Sequence, residues 1–139
     1  PLALGEWKDQ GLPFFGHRMM YTATVQVDDT KARHLLTLPD WSGVVAVVTV
    51  NGQSAGPIYL QPAEREITGL LNAGANTVSV LVYGSLRNPL GPHLGNKDAG
   101  LTHPGSWNNA PESPQPAGSE YAFLGYGLRA PFTVERLAP

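Results

Sequence analysis

Apolar and polar residues alternate along this chain in short runs, and glycine, proline, asparagine or aspartate cuts each run off. Before the first run, the irregular apolar segment Pro1–Gly16 offers Trp7, Phe14 and Phe15 as plugs for a core edge. In Met20–Val27, Tyr21, Ala23, Val25 and Val27 fall on one face and Thr22, Thr24 and Gln26 on the other, which predicts a half-buried strand. Asp28–Asp29–Thr30–Lys31 reads as the turn that ends it. Arg33–Leu38 reads as a second strand, closed by Pro39–Asp40. Val44–Val50 is a continuous β-branched run, the pattern of a strand buried on both faces or central in a sheet. Asn51–Gly52 follows it at once, a strong hairpin signal, with Ser54–Tyr59 as the return strand. Glu64–Thr68 is a further extended piece. Thr77–Tyr83 alternates cleanly, with Val78, Val80 and Val82 on one face. From Gly84 to Gly118 the periodicity stops, and glycine and proline recur. A stretch of that length inside a compact domain marks a functional loop or a disordered segment. Two closing strands are expected near Glu120–Gly125 and Pro131–Leu137.

About eight short strands, tight turns and one or two long loops predict an all-β fold, an antiparallel β-sandwich of jelly-roll type. Composition sharpens this. The 139 residues suit a single domain, residues 1–139. Sixteen glycines and 13 prolines exclude a helical bundle or coiled coil. A 42% hydrophobic content is enough for a core, while charged residues make up only 14%. The net charge of −2 gives no electrostatic footprint for nucleic acid or an anionic membrane. With no cysteine, disulfides, thiol nucleophiles and cysteine-bound zinc are excluded. No apolar run approaches the ~18 residues of a membrane helix. The chain opens at Pro1, which suggests a mature fragment or an excised module, with the parent's targeting signal out of view.

Four motifs suggest chemistry and have plainer explanations. Gly52–Gln53–Ser54–Ala55–Gly56 matches G-x-S-x-G, but a nucleophile elbow needs a strand, a strained turn and a helix. Here the motif lies in a hairpin and Pro57 follows. Glu64 and Glu66 share a strand face roughly 7 Å apart, a spacing open to glycoside acid–base chemistry but common on a solvated edge. His93, Asp98 and His103 lack the close spacing of a zinc motif. Asp28–Asp29 suits a turn better than a calcium loop. The expectation is therefore no catalytic residue, no metal and no cofactor.

The long loop carries the candidate site. Arg87, Asn88, His93, His103, Trp107 and Asn108, with Asn109, gather planar donors, amides and an indole where there is little core signal. Sugar recognition uses that mixture: an aromatic face stacks on a pyranose while Arg, Asn and His hydrogen-bond its hydroxyls. In the plainer alternative, Trp107 caps the sandwich core and Arg87 and Asn88 brace the loop backbone. Trp41 and Tyr59 are weaker candidates.

Several stretches together resemble one module. Trp7, then Gln10–Gly11–Leu12–Pro13–Phe14–Phe15 and Tyr21, looks like the entry of the galactose-binding-like jelly roll of family 2 glycoside hydrolases and related large bacterial glycosidases, α-L-rhamnosidase-like enzymes included. Val50–Asn51–Gly52–Gln53, Gly56, Pro62, Glu66–Ile67–Thr68, Leu71, Gly74–Ala75–Asn76 and Val78–Ser79–Val80 resemble its "V-N-G … P … D-I-T … L … G-x-N … V-x-V" run. Ser85–Leu86–Arg87–Asn88–Pro89–Leu90–Gly91–Pro92–His93 is similar to a loop of the bacterial group. Tyr126–Gly127–Leu128 and Phe132–Thr133–Val134 fit its closing strands. Glu66 stands where the pattern has Asp, which is expected to weaken a turn hydrogen bond. The resemblance implies a non-catalytic carbohydrate-binding module of a bacterial glycoside hydrolase, binding neutral plant-type or other oligo- or polysaccharide. The alternative is a structural accessory domain that packs on the catalytic domain without binding sugar; a third role is recognition of another protein. The implied partners are carbohydrate and the parent's catalytic domain, with no nucleic acid and no membrane. The implied location is secreted or periplasmic, as part of that parent.

Overall fold

Alternating valines need a partner layer, and the chain supplies one. A computed structural model describes residues 2–90, 121 and 123–138. Nine strands are described: β1 (Arg18–Val27), β2 (His34–Thr37), β3 (Trp41–Ser42), β4 (Val45–Val50), β5 (Gln53–Ile58), β6 (Glu64–Glu66), β7 (Gly74–Tyr83), β8 (Gly127–Leu128) and β9 (Thr133–Arg136). One sheet runs β1-β7-β4-β5, a second β6-β2-β9, and β3 pairs with β8. Every pairing is antiparallel. Helix is confined to single turns at Trp7–Gln10, Thr68–Leu70 and Arg87–Leu90 among the described residues. None is long and apolar enough to cross a membrane. The protein is an all-β sandwich, as the periodicity predicts.

The core is the space between the two larger sheets. Ala46, Val48 and Val50 of β4 and Val78, Val80 and Val82 of β7 are all 0% exposed, and Leu36 of β2 lies in the same cluster. β4 is central, between β7 and β5, as its β-branched run predicts. Its burial nevertheless alternates, because only one face of this sheet meets the other layer. The outward residues line up across the strands. Met20, Leu81, Val47 and Pro57 stand in register as an apolar row, and Thr22, Ser79, Thr49 and Ser54 form a hydroxyl row beside it. Val47 extends the apolar run in sequence without being core.

The two ends of the chain meet. Gly5 N–H donates to Leu128 O at 2.7 Å and Trp7 N–H to Tyr126 O at 2.8 Å. Gly127 sits at φ +138°, and a Cβ there would run into the Gly5 carbonyl, so the residue has to be glycine. Trp7, 1% exposed, is the plug that its position predicts. It packs on Phe15 and Tyr126 at ring separations of 5.5 and 6.0 Å. Phe14, expected beside it, instead turns outward and is 41% exposed.

Polar side chains fasten the turns. Asn51 (φ +50°) and Gly52 (φ +82°) both take the left-handed region that a tight hairpin demands. The Asn51 carboxamide bonds onward to Asn76, Leu70 O and Thr77 N. Asp29 caps its turn by accepting from Lys31 N and Ala32 N, the turn role expected of it.

Glu66 departs from the expected weakening. Its longer chain still accepts from the Thr68 hydroxyl at 3.0 Å and takes two bonds from the Arg33 guanidinium, at 2.7 and 3.2 Å. Arg33 first, then Thr68, holds the Glu66 carboxyl below the ordinary glutamate range. Because the folded pKa is depressed, the stabilisation is complete above the unfolded pKa and is lost as pH falls through the lower folded value. We expect Arg33→Ala to move the Glu66 pKa upward in an NMR titration of its side-chain carboxyl; an unmoved midpoint would assign the depression to Thr68 instead.

The expected strand at Glu120–Gly125 is not formed among its described residues; Glu120 and Ala122 lie outside them. The ladder resumes only at β8. The reason is tertiary: the backbone N–H and C=O of Leu124 are bonded to the side chain of Asn88.

Candidate ligand site at the base of the long loop

The chain leaves β7 at Tyr83 and turns through Gly84 into the Arg87–Leu90 helical turn. Gly84 N–H is held by His17 O at 2.8 Å. Ser85 Oγ lies 2.5 Å from the Tyr126 hydroxyl and accepts from Arg87 N at 3.1 Å. The turn is thereby tied to the first and last segments of the fold.

Asn88 is 2% exposed. Its Nδ2 donates to Leu124 O and its Oδ1 accepts from Leu124 N, both at 2.8 Å. That is the bracing role considered for it in the sequence. At 2% exposure, with both polar atoms bonded to backbone, the amide is closed to a ligand, so Asn88 is a positioning residue. Asn88→Ala would leave two backbone groups of Leu124 unpaired. It is expected to cost about 1–3 kcal/mol in urea denaturation, with a loosening of the Tyr121–Phe123 segment visible in its NMR signals. A cost near zero would remove the brace.

Arg87 contrasts with its neighbour. Its guanidinium makes no ion pair among the described residues, and its Nε is buried without a hydrogen-bond partner. A guanidinium with no anionic partner among the described residues is equipped to bind an oxygen-rich group. His93, His103, Trp107 and Asn108, with Asn109 and Asp98, lie outside the described residues.

Sequence reasoning missed an aromatic cluster at this loop base. Phe14 meets Phe123 at 4.9 Å and Tyr121 at 5.9 Å, and Tyr121 meets Phe123 at 5.7 Å, all edge to face. Asn88's bonds to Leu124 place the Arg87 turn beside the segment that carries Tyr121 and Phe123. The available signal was aromatics flanking the loop on segments without strand periodicity.

The other candidates resolve simply. Ser54 Oγ accepts from Gly56 N at 3.2 Å within the β4–β5 hairpin, not at a strand-to-helix elbow. Glu64 and Glu66 are exposed on β6, and Arg65 between them turns to the other face and donates to Pro57 O. Trp41 packs partly against the core, while Tyr59 is exposed. Among the described residues no three His, Asp or Glu side chains gather where they could hold a metal ion.

No family model and no curated protein matches the chain. Solved structures do. A rhamnosidase from Novosphingobium sp. PP1Y matches 87% of this chain with TM-score 0.58 and 20% identity. A beta-D-mannosidase from Dictyoglomus thermophilum matches 98% with TM-score 0.53 and 14% identity. A Bifidobacterium dentium beta-glucuronidase, complexed with coumarin-3-O-glucuronide, matches 60% with TM-score 0.50 and 26% identity. All three are glycoside hydrolases, and the matches span only 11%, 18% and 15% of their respective chains. The likeness to the rhamnosidase and the mannosidase is one of fold.

Proposed function

We propose that this chain is a non-catalytic accessory module of a glycoside hydrolase that contacts neutral carbohydrate at the base of its long loop. The observation that carries the accessory reading is the fold match to a small part of three large glycosidases. Carbohydrate contact is supported by the Arg87 guanidinium, which has no ionic partner among the described residues, beside the Phe14–Tyr121–Phe123 cluster. Stacking on a ring and charge-assisted bonds to hydroxyls are the two interactions a shallow sugar site needs. Trp107 would add a second platform, with His93, His103 and Asn108 at the rim.

Calorimetric titration with neutral oligosaccharides tests the reading. A shallow site implies dissociation constants of roughly 10 μM to 1 mM. Arg87→Ala and Trp107→Ala should each weaken binding by about 1–3 kcal/mol and leave the melting temperature nearly unchanged. A Trp107→Ala variant that melts early but binds as before would make Trp107 a core cap. Sequencing the coding DNA on both sides of these codons tests the accessory role: a glycosidase domain in frame supports it, and stop codons enclosing the chain overturn it.

A second reading is purely structural packing. The apolar row of Met20 (63% exposed), Leu81, Val47 and Pro57 on the outer sheet face favours it. Absence of any sugar binding, with an in-frame glycosidase domain, selects this reading.

A further inference from the structure

β1 is an edge strand that pairs with β7 alone. It is 10 residues long, and among the described residues no backbone hydrogen bond reaches its outer side. Edges are ordinarily blunted by proline, bulges or inward charges. β1 has no proline and no charge after Arg18, and its register with β7 runs unbroken from Arg18↔Tyr83 to Val27↔Gly74. The opposite edge, β5, is shorter and carries Gly56 and Pro57. Along β1 lies an apolar hollow of about 660 Å³, lined by Leu2, Leu4, Met19, Tyr21, Leu128 and Phe132 among others.

We propose that β1 pairs antiparallel with β1 of a second copy of this chain, joining two sheets into one across a twofold axis. The axis must stand perpendicular to the sheet, because antiparallel strands related by symmetry keep their faces on the same side. Residues opposite one another therefore sum to an even number. One such register matches charges, although it sets Met20 against Gln26 of the copy. With Ala23 opposite Ala23 of the copy, Thr22 meets Thr24, Tyr21 meets Val25 and Met19 meets Val27. Arg18 then meets the copy's Asp28, and symmetry makes that pair twice. Shifting by two residues in either direction removes the charge match. Neither charge has an ionic partner among the described residues: Arg18 only bonds the Tyr83 hydroxyl and lies over its ring, and Asp28 is exposed. Ala23 is exposed although it sits on the inward face, so the middle of the edge is open to a neighbouring strand. The proposal stands independently of any sugar binding.

Sedimentation equilibrium of the full chain from about 5 μM to 1 mM tests it. A small sheet-extension interface implies a dimer dissociation constant of about 10–500 μM. Ala23→Lys sets two ammonium groups on the axis and should give a monomer with an unchanged melting curve. Arg18→Asp and Asp28→Arg should each weaken the dimer about fivefold, since both symmetric pairs are hit. The two together should restore it to within about twofold. A chain that stays monomeric at the highest concentration overturns the proposal. So does a dimer that survives Ala23→Lys, or a double variant that stays as weak as the singles. An extended partner other than a second copy would give one of those results.

Discussion

Trp7→Ala is expected to lower the free energy of unfolding by about 3–5 kcal/mol, the range for truncating a buried indole. Trp7 is 1% exposed and joins the beginning of the chain to its end. Its ring packs between Phe15 and Tyr126, and its Nε1–H donates to the Tyr21 hydroxyl at 2.7 Å. The same hydroxyl accepts from Leu128 N at 3.2 Å. One side chain therefore links the first segment, β1 and β8. Removing it opens a cavity and leaves the Gly5–Leu128 and Trp7–Tyr126 backbone bonds without a packed neighbour. Trp7→Phe separates the contributions. It keeps a packed ring but loses the hydrogen bond and part of the indole's volume, so about 1–2 kcal/mol is expected. The measurement is urea denaturation followed by circular dichroism, with the slope unchanged. A loss below ~1 kcal/mol for Trp7→Ala would show that the end-to-end closure stands without it.

Asn76→Ala is expected to cost about 3–4 kcal/mol, because a buried amide with all its capacity used leaves several groups unpaired. Asn76 is 1% exposed. Its Oδ1 accepts from Asn72 N and from Asn51 Nδ2, each at 2.8 Å. Its Nδ2 donates to Asn72 O at 2.8 Å and Gly74 O at 3.0 Å. Through Asn51 the network also holds Leu70 O and Thr77 N, so it pins the β4–β5 hairpin to the start of β7. Asn76→Asp is the sharper variant. It keeps the shape but aims an oxygen at two carbonyls in a site closed to water. The ionised form is disfavoured there, so the folded pKa of the new carboxyl is raised above its unfolded value. Its destabilisation should be small below the unfolded pKa near ~4 and grow as pH rises from there to the folded pKa. Urea midpoints for variant and native chain at about pH 4 and pH 7 check this. An equal deficit at both values would mean that the donor pair facing Asn72 O and Gly74 O contributes nothing specific.

These two residues mark how far local sequence reaches. Asn76 lies in a run that resembles a known module, and Gly74–Ala75–Asn76 reads as a break in the chain. Its hold on Asn51 depends on the register of β4 against β7. Trp7 reads as a plug because a lone indole in an irregular apolar segment has nowhere else to be buried. Its partners at the other end of the chain have no local signature, since nothing in the spacing of Gly5 and Leu128 announces a backbone bond between them. At the loop, Arg87 and Asn88 are adjacent and chemically alike as candidates. Burial separates them: the amide goes to Leu124, and the guanidinium finds no anion among the described residues.

What the amino-acid order determines alone is the set of strands and their faces. Period-two burial is a local property, and a hairpin at Asn51–Gly52 needs only two residues that tolerate positive φ. The all-β class follows because glycine and proline interrupt every other regular pattern. Which apolar residues become core is decided in three dimensions. Val48 and Val47 are the same residue type one position apart, yet one is sealed against the second sheet and the other joins an outer row with Met20 and Leu81. The failed strand before Gly125 has the same origin. The backbone N–H and C=O of Leu124 could have joined a ladder, but the folded chain bonds them to the side chain of Asn88, 36 residues away. The open edge of β1 is likewise a property of sheet order, which pairing between distant segments settles and local alternation cannot encode.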